Sequence, residues 1–308
     1  MSSWLFLSSG NLIADRRFDF GRDLQLRGDL SAAADLMMQA VELEPRFASA
    51  WFSLGELREQ LGEREEAINA YRRARDADPA DRHGAKLRLM RLGAEDLSDM
   101  PAGYVTALFD QYAPKFDKSL VEDLNYRGPQ VLLKAVLAAR HAAGLPARFR
   151  KAIDLGCGTG LAAQEFASVV DEFIGVDLSS GMIKQAEATG LYVRLDVADM
   201  LKGLRAEADA GADLVMAADA FVYVPDLAPI IAEAARVMQP QGMLAFTVEA
   251  NAGEGFILKP TLRYAHSVGY LRAMLEDAGL TVSAITSVST RTEAGEAVPG
   301  LVVTASKS

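Results

Sequence analysis

The sequence predicts an α/β protein in which a doubly wound, mostly parallel sheet follows an all-α module. Two observations support this prediction. From residue 149 onward, short apolar runs typical of buried strands alternate with segments of helical apolar spacing. In the N-terminal third, small and large residues recur with a 34-residue period, which indicates stacked helical hairpins. We expect the boundary near Asp96 to Pro101, so that residues 1–97 form the helical module and residues 98–308 the α/β domain.

The helical module is expected to contain two hairpins, at about residues 14–46 and 48–80, and a capping helix within residues 82–92. The landmarks of the second hairpin are Trp51, Leu54, Gly55, Gly62, Ala67, Tyr71, Ala74 and Pro79. Subtracting 34 gives Arg17, Phe20, Gly21, Gly28, Ala33, Met37, Ala40 and Pro45, in which Arg17 is the one unusual residue type. The module therefore resembles two tetratricopeptide (TPR) repeats. Because three are usually needed for stability, we expect it to pack on the rest of the chain, a second copy or a protein partner.

The α/β domain follows in regular order. Two predicted helices, Ala102 to Lys115 and Val131 to Ala143, precede the first strand. The expected strands are Phe149 to Ile153, Phe173 to Val176, Tyr192 to Ala198, Ala212 to Ala218, Met243 to Val248, Thr281 to Thr290 and Leu301 to Ala305. The helices expected between them are Leu161 to Val170, Met200 to Ala206, Leu227 to Met238 and Val268 to Ala278. Only turn residues separate the last two strands, which should therefore form an antiparallel hairpin.

Composition excludes several classes of function. The net charge is −10 and neither part of the chain is basic, so strong binding to nucleic acid is not expected. No apolar run reaches the roughly 18 residues of a membrane span, and a cytoplasmic protein without a membrane partner is expected. The three histidines lie far apart in sequence, which disfavours a metal site. Cys157, the only cysteine, lies between two glycines and is better explained as a small turn residue than as a nucleophile.

The run Asp154-Leu155-Gly156-Cys157-Gly158-Thr159-Gly160 is the most informative motif. It follows the first strand and precedes a helix, so its glycines allow a sharp turn and a close approach by a flat ligand. The glycine spacing distinguishes between cofactors. A nicotinamide fingerprint requires a third glycine where Leu161 stands, so a dinucleotide is disfavoured.

Two further acids follow at regular offsets. Asp177 ends the second strand, 23 residues after Asp154, close to the offset at which such folds place a ribose-binding carboxylate. Asp199 comes 22 residues after Asp177, directly before a predicted helix. Asp196 is an alternative for the third position. Each acid alone is explained by a strand end or a helix cap, but three in register indicate a ligand site.

This order of motifs resembles the class I S-adenosylmethionine (SAM)-dependent methyltransferases, and nearly the whole chain resembles bacterial predicted methyltransferases with N-terminal TPR repeats. The resemblance implies a Rossmann-like seven-stranded methyltransferase sheet, SAM as cofactor and S-adenosylhomocysteine as product. It assigns the glycine loop to the cofactor and Asp177 to the ribose. Asp199 would bind the adenine amino group. The remaining adenine contacts implied are Leu178, Met182 and the backbone N–H of Met200.

An aromatic element precedes the domain. Tyr112, with Phe116 and Asp117, matches an element that in related methyltransferases closes over the methionine end of the cofactor. An aromatic ring face attracts cationic character, which gives a physical reason for a tyrosine beside a sulfonium.

The acceptor side is expected at the rim formed by the strand ends. Asp219 follows the fourth strand and is a candidate base. The insertion Glu249 to Ser267 is too long for a plain turn and suggests a lid or a substrate contact. Within it, Arg263 with Lys259 could bind an anion, Tyr264 could cover it and His266 could act as a base.

Three functional hypotheses remain from the sequence. The leading one is a methyltransferase acting on a small anionic molecule, and the second is a protein methyltransferase that recruits its substrate through the repeats. A third, a non-catalytic TPR scaffold that retains a cofactor pocket, is disfavoured by the intact glycine loop and acids. The sequence does not separate the first two, nor does it distinguish O-, N-, C- or S-methylation.

Overall fold

The computed structural model describes residues 5–113, 126–293 and 295–308. The chain divides into two compact units, residues 1–111 and 112–308. The described part of the first unit is helical, and the second is α/β. Phe116 and Asp117, which were predicted to contact the cofactor with Tyr112, lie outside the described residues.

The helical unit consists of consecutive helices joined by short turns. Their bounds are α1 Leu12–Leu26, α2 Leu30–Leu43, α3 Ala48–Gln60, α4 Arg64–Ala77, α5 Ala85–Arg91 and α6 Ala102–Tyr112. Helices α1 and α2 pack together, as do α3 and α4, so each pair is a hairpin at the place that the periodicity predicts. The side chains of Asn11 and Asp29 cap α1 and α2 by accepting hydrogen bonds from the first-turn N–H groups.

Within each hairpin, a glycine of the first helix lies against a large side chain of the second. Gly21 faces Met37, and Gly55, 34 residues later, faces the fully buried ring of Tyr71. A Cβ atom at Gly55 would stand 2.6 Å from that ring, which is closer than van der Waals contact allows. The periodic glycines therefore let the two helices of each hairpin approach closely.

The α/β unit alternates strands and helices. Its helices are α7 Gly128–Ala142, α8 Leu161–Phe166, α9 Ser180–Ala188, α10 Met200–Arg205, α11 Ala228–Val237 and α12 Val268–Asp277. Its strands are β1 Phe149–Leu155, β2 Val170–Asp177, β3 Tyr192–Val197, β4 Ala212–Ala217, β5 Met238–Ala250, β6 Phe256–Leu258, β7 Tyr264–His266, β8 Leu280–Val288, β9 Thr292–Glu293, β10 Glu296–Ala297 and β11 Gly300–Lys307.

The main sheet has the order β3-β2-β1-β4-β5-β11-β8. Strands β1 to β5 pair in parallel, whereas β11 is antiparallel to both β5 and β8, as predicted for the last hairpin. Helices α10, α11 and α12 contribute to the core on one face, and α7 and α8 to the core on the other. The chain order reverses between β1 and β4, so the crevice beyond their carboxyl ends is the expected ligand site.

The insertion Glu249 to Ser267 is not a free loop. Strand β7 pairs in parallel with the end of β5, with His266 opposite Ala250, and β6 pairs antiparallel with β7. The expectation of a lid is therefore wrong, because β6 and β7 join the insertion to the end of β5 by hydrogen bonds.

Gly55→Ala should destabilise the helical unit by about 1–3 kcal/mol, since the methyl group overpacks against Tyr71. Gly269→Ala is the matched control, because Gly269 also lies in a helix but has no atom within 4 Å of an added Cβ. The control should be neutral or stabilising by up to about 1 kcal/mol. Urea unfolding of both variants measures the difference, and equal stabilities would contradict the packing argument.

Candidate active site

The glycine loop lies between β1 and α8. Gly156 has a φ of 67°, and a Cβ atom there would stand 2.5 Å from the Cβ of Ala220 and 3.0 Å from the Cε of Met200. Glycine is required here both by conformation and by space. The loop is thus held against the end of β4 and the start of α10, and the side chain of Met200 lies beside the glycine motif.

Asp154 lies just ahead of this loop and is 1% exposed. The hydroxyl of Tyr192 donates to its Oδ2 atom at 2.7 Å, while its Oδ1 atom has no hydrogen-bond partner among the described residues. Burial, reinforced by the nearby charge of Asp177, raises the pKa of the Asp154 carboxyl to about 7. A buried carboxylate oxygen without a donor fits a ligand that supplies a cation or an N–H group.

Asp177 ends β2 on the other side of the loop. The backbone N–H of Gly158 donates to its Oδ2 atom at 2.9 Å, and that of Ser179 donates to its Oδ1 atom at 2.8 Å. These bonds fix the carboxylate next to the glycine loop, where the ribose-binding role was predicted. Leu178 is half-buried, whereas the side chain of Met182 is wholly buried and leaves no surface for the expected adenine contact.

Asp199 is exposed and caps α10. Its Oδ1 atom accepts hydrogen bonds from the N–H groups of Leu201 and Lys202. The alternative acid, Asp196, is paired with Arg194 at 2.9 Å. Asp199 therefore caps the helix. It also directly precedes Met200 in the chain, so its capping role does not exclude a contact with the adenine.

Cys157 does not have the properties of a nucleophile. It is 4% exposed, and burial together with the neighbouring acids raises the pKa of its thiol. A reactive cysteine needs the thiolate form, which this environment disfavours. The structure therefore agrees with a small residue that fits the turn.

Asp219 takes a different role from the predicted one. It follows β4 with a φ of 54°, an unusual conformation for a residue with a side chain. Its carboxylate accepts hydrogen bonds from Thr247 Oγ1 at 2.7 Å, from Thr290 Oγ1 at 3.0 Å and from Arg291 Nη1 at 2.9 Å. A carboxylate engaged in this way is an anchor, and its predicted role as a base is not supported.

Arg291 is the centre of a group of charges at this rim. Its guanidinium is 4% exposed and pairs with Asp219, Glu249 and Glu293. Glu249 also pairs with Lys259 at 2.9 Å and with Arg263 at 3.8 Å. We call these six residues, Asp219, Glu249, Lys259, Arg263, Arg291 and Glu293, the rim network. It contains three acids and three bases, so it carries no net charge.

The three insertion residues predicted to contact the acceptor are differently placed. Arg263 pairs with Glu293 as well as Glu249. Tyr264 is fully buried against Phe256. His266 is also fully buried, because β7 joins the sheet and its residues are drawn into the core.

The buried ring of His266 serves the fold. Its Nε2 atom lies 3.1 Å from the carbonyl oxygen of Val224 and 2.9 Å from that of Pro225, and its ring stacks on Tyr270. Burial lowers its pKa, which keeps the ring neutral. The predicted role as a base for a bound acceptor is therefore wrong for this structure, since an acceptor cannot reach the ring.

Tyr126 lies in a segment that is hydrogen-bonded beside the rim network, which the sequence did not indicate. Burial raises the pKa of its hydroxyl well above the ordinary value, and the charges that act on it include Asp219, Arg291 and Asp154. The backbone N–H of Arg127 donates to Thr290 O at 2.7 Å, which ties this segment to the rim network. The isolated position of Tyr126 in the sequence gave no signal of this.

Comparison with known proteins agrees with this geometry. Residues 153–246 match the family described as "Methyltransferase domain", and residues 48–81 match the family "Tetratricopeptide repeat".

Among the described residues, no group of His, Cys, Asp and Glu side chains could hold a metal ion, and none of the helices has the length and apolar character of a membrane span.

Three similar proteins are informative. Human methyltransferase-like protein 27 is 30% identical over 56% of this chain and 66% of its own length. A ubiquinone biosynthesis O-methyltransferase of Thiobacillus denitrificans is 30% identical over 47% of this chain and 70% of its own length. The structure of 1,6-didemethyltoxoflavin-N1-methyltransferase from Burkholderia thailandensis, solved with 1,6-didemethyltoxoflavin and S-adenosylhomocysteine, has a TM-score of 0.51 at 18% identity. That match covers 70% of this chain and 93% of the other, and it shows a common fold.

The glycine loop, its acids and the sheet order thus define a Rossmann-like cofactor-binding enzyme domain. The chain belongs to the class I SAM-dependent methyltransferases, with a TPR module before the catalytic domain. It spans two thirds or less of the length of the first curated relatives it matches, at 66%, 47% and 56%.

Arg291→Met should lower the free energy of unfolding by about 3–5 kcal/mol, because it leaves Asp219 without its paired cation and removes one of the cations paired with the buried Glu249. Arg148→Met is the control, since Arg148 is 68% exposed and its pair with Asp171 lies on the surface. The control should change stability by less than about 1 kcal/mol. Urea unfolding compares the two, and an equally small effect of both would contradict the central place of Arg291.

Proposed function

We propose that this protein transfers the methyl group of SAM to a small-molecule acceptor. The observation that carries the proposal is the Asp154 carboxylate, buried beside the glycine loop with one oxygen unpartnered among the described residues. A cationic group would satisfy this oxygen, and the amino acid part of the cofactor carries one, its ammonium group.

The roles of individual residues follow from their positions. Asp154 would bind the ammonium group of the cofactor. Asp177, which two backbone N–H groups already hold in place, would accept hydrogen bonds from the ribose hydroxyls of the cofactor. The adenine would lie towards Asp199 and Met200. SAM supplies a methyl group activated by its sulfonium. The remaining requirement is alignment with the acceptor and exclusion of water, for which we propose the rim network as the wall.

The charges of the rim network indicate which kind of acceptor it would bind. Lys259 and Arg263 were expected to attract an anion, but both are paired with Glu249, and Arg263 also with Glu293. Because the rim network is neutral as a whole, we propose that the acceptor does not need a negative charge. Small-molecule acceptors are supported by the names of the Thiobacillus and Burkholderia proteins. Tyr112 remains a proposed contact at the methionine end of the cofactor.

A second candidate is methylation of a protein recruited by the repeats, which the TPR match over residues 48–81 favours. The two candidates are separated by removing residues 1–97. The shortened chain should still bind S-adenosylhomocysteine in both cases. It should keep turnover on a small acceptor but lose it on a recruited protein, as measured with labelled SAM against metabolite and peptide pools.

Asp177→Ala should weaken S-adenosylhomocysteine binding by about 10- to 100-fold, the loss expected for hydrogen bonds to a charged group worth roughly 1.5–3 kcal/mol. Asp171→Ala is the matched control, because Asp171 lies on the same strand but is paired with Arg148 on the surface. Calorimetry should show an unchanged affinity for the control, and no binding of NADH to the unmodified protein. Equal affinities of the two variants would exclude the ribose role of Asp177.

Cofactor affinity should depend on pH through Asp154. A bound cation favours the ionised carboxylate, whose pKa without the cofactor is about 7. Below that pH, binding must also remove a proton, so the affinity should fall towards ~10-fold per pH unit and level off above it. Calorimetry between pH 5 and 8 measures this slope. Asp154→Asn should bind more weakly at pH 8 and lose the slope, and a slope that persists in this variant would refute the assignment.

A further inference from the structure

The first helices of the TPR hairpins and the capping helix form one continuous face. Asp15 on α1, Ser49 on α3 and His83 just before α5 are spaced by 34 residues and occupy equivalent positions. Ser49 Oγ lies 3.1 Å from His83 Nε2, and Phe52 packs against the His83 ring. We call the surface formed by the first turns of these helices the inner face.

The N-terminal segment, residues 5–10, crosses this face. The backbone of Leu5 is hydrogen-bonded to His83. The N–H of Leu7 donates to Ser49 Oγ at 2.8 Å, and that hydroxyl lies 3.2 Å from Leu7 O. The backbone N–H of Ser9 donates to Asp15 at 2.9 Å. Leu5, Leu7 and Ser9, which are every second residue of the segment, thus each contact one of the three equivalent positions. Contacts at every second residue are typical of an extended chain.

Side chains add specificity to these backbone contacts. The ring of Phe6 packs against Phe18 at 5.2 Å and Phe47 at 6.1 Å, measured between ring centroids. The hydroxyls of Ser8 and Ser9 both donate to the Asp15 carboxylate, at 2.5 and 2.6 Å. The inner face therefore contacts the aromatic side chain of Phe6 and the hydroxyl groups of Ser8 and Ser9.

Farther along the same helices the surface is charged but internally paired. Arg88 pairs with Glu56 at 2.8 Å, and Arg91 pairs with Glu59. Each of these arginines is already paired with a glutamate of the module, so this region attracts an acidic ligand only weakly. The chemistry of the inner face suits an uncharged segment.

The contacts of the N-terminal segment are compatible with its displacement from the inner face by another ligand. Phe6 is 44% exposed, so its ring is only partly covered. The segment is joined to α1 at Asn11 and therefore competes with any free ligand at a high effective concentration, on the order of millimolar for a short tether. A ligand that makes the same contacts must displace it.

We propose that the inner face is a binding site for an extended, uncharged protein segment that carries a large aromatic residue followed by small hydroxyl residues. In the free protein, residues 5–10 occupy this site in cis. The partner is a protein with such a segment, and its binding displaces the N-terminal segment. This site does not depend on the proposed methyl transfer.

The test uses a labelled peptide, Leu-Phe-Leu-Ser-Ser-Gly, and a variant that lacks residues 1–10 but keeps the α1 cap Asn11. Fluorescence anisotropy should show that the shortened chain binds the peptide at least ~10-fold more tightly than the full chain, which carries the competitor. In the shortened chain, Ser49→Ala should weaken binding by about 2- to 10-fold, since it removes the backbone contacts to the third peptide residue. Ser53→Ala is the matched control, on the same helix and equally buried, and should have no effect.

A shortened chain that keeps its helical circular dichroism but does not bind the peptide would overturn the proposal, as would equal effects of Ser49→Ala and Ser53→Ala. If the truncation unfolds the module, the full chain with Phe6→Ala is used instead. That variant should bind the peptide more tightly than the unmodified chain, and an unchanged affinity would also overturn the proposal. A dimer that disappears on truncation would show exchange of the segment between copies and would refute occupation in cis.

Discussion

The rim network at the ends of β4 and β5 depends on one buried cation, Arg291. Its guanidinium joins Asp219 after β4, Glu249 at the end of β5 and Glu293 in β9. Burial makes each of these charges costly unless the others are present, so the strand ends are fixed as a set. Thr290, next to Arg291, links these strand ends to the segment before α7, because its carbonyl oxygen accepts a hydrogen bond from the N–H of Arg127.

The glycine loop and its neighbouring acids are held differently, by backbone geometry and by hydrogen bonds from neutral groups. Gly156 permits contact with the end of β4, and Asp177 is fixed by N–H groups of its own loop and the next. Among the residues that the structure describes, Asp154 is paired with no cation and accepts a hydrogen bond from Tyr192. The domain thus combines a rim whose charges are internally balanced with a glycine loop beside one acid without a paired cation. That arrangement suits the role proposed for Asp154, binding of the ammonium group of the cofactor.

Much of this arrangement was predictable because it is local in sequence. The glycine loop and the acid at the end of β2 are recognised from short motifs, and the mostly parallel sheet follows from the alternation of strands with helices. The rim network was not predictable, since Arg291 is 72 residues from Asp219 and 42 from Glu249. His266 and Tyr264 were misinterpreted for a related reason. Their burial follows from the pairing of β7 with β5, and a three-residue strand inside a polar insertion gives little periodic signal.

The pairing of β7 with β5 also bears on selectivity. Strand β5 continues past its last pairing with β4 at Phe246, and β7 then pairs with it at Glu249 and Ala250. A wall built in this way from paired backbone has little conformational freedom left to lose when an acceptor binds. For an acceptor bound at this rim, as proposed above, discrimination should therefore follow the fit of rigid shapes. Acceptors of different outline would be accommodated by changing individual side chains, while the backbone course stays the same.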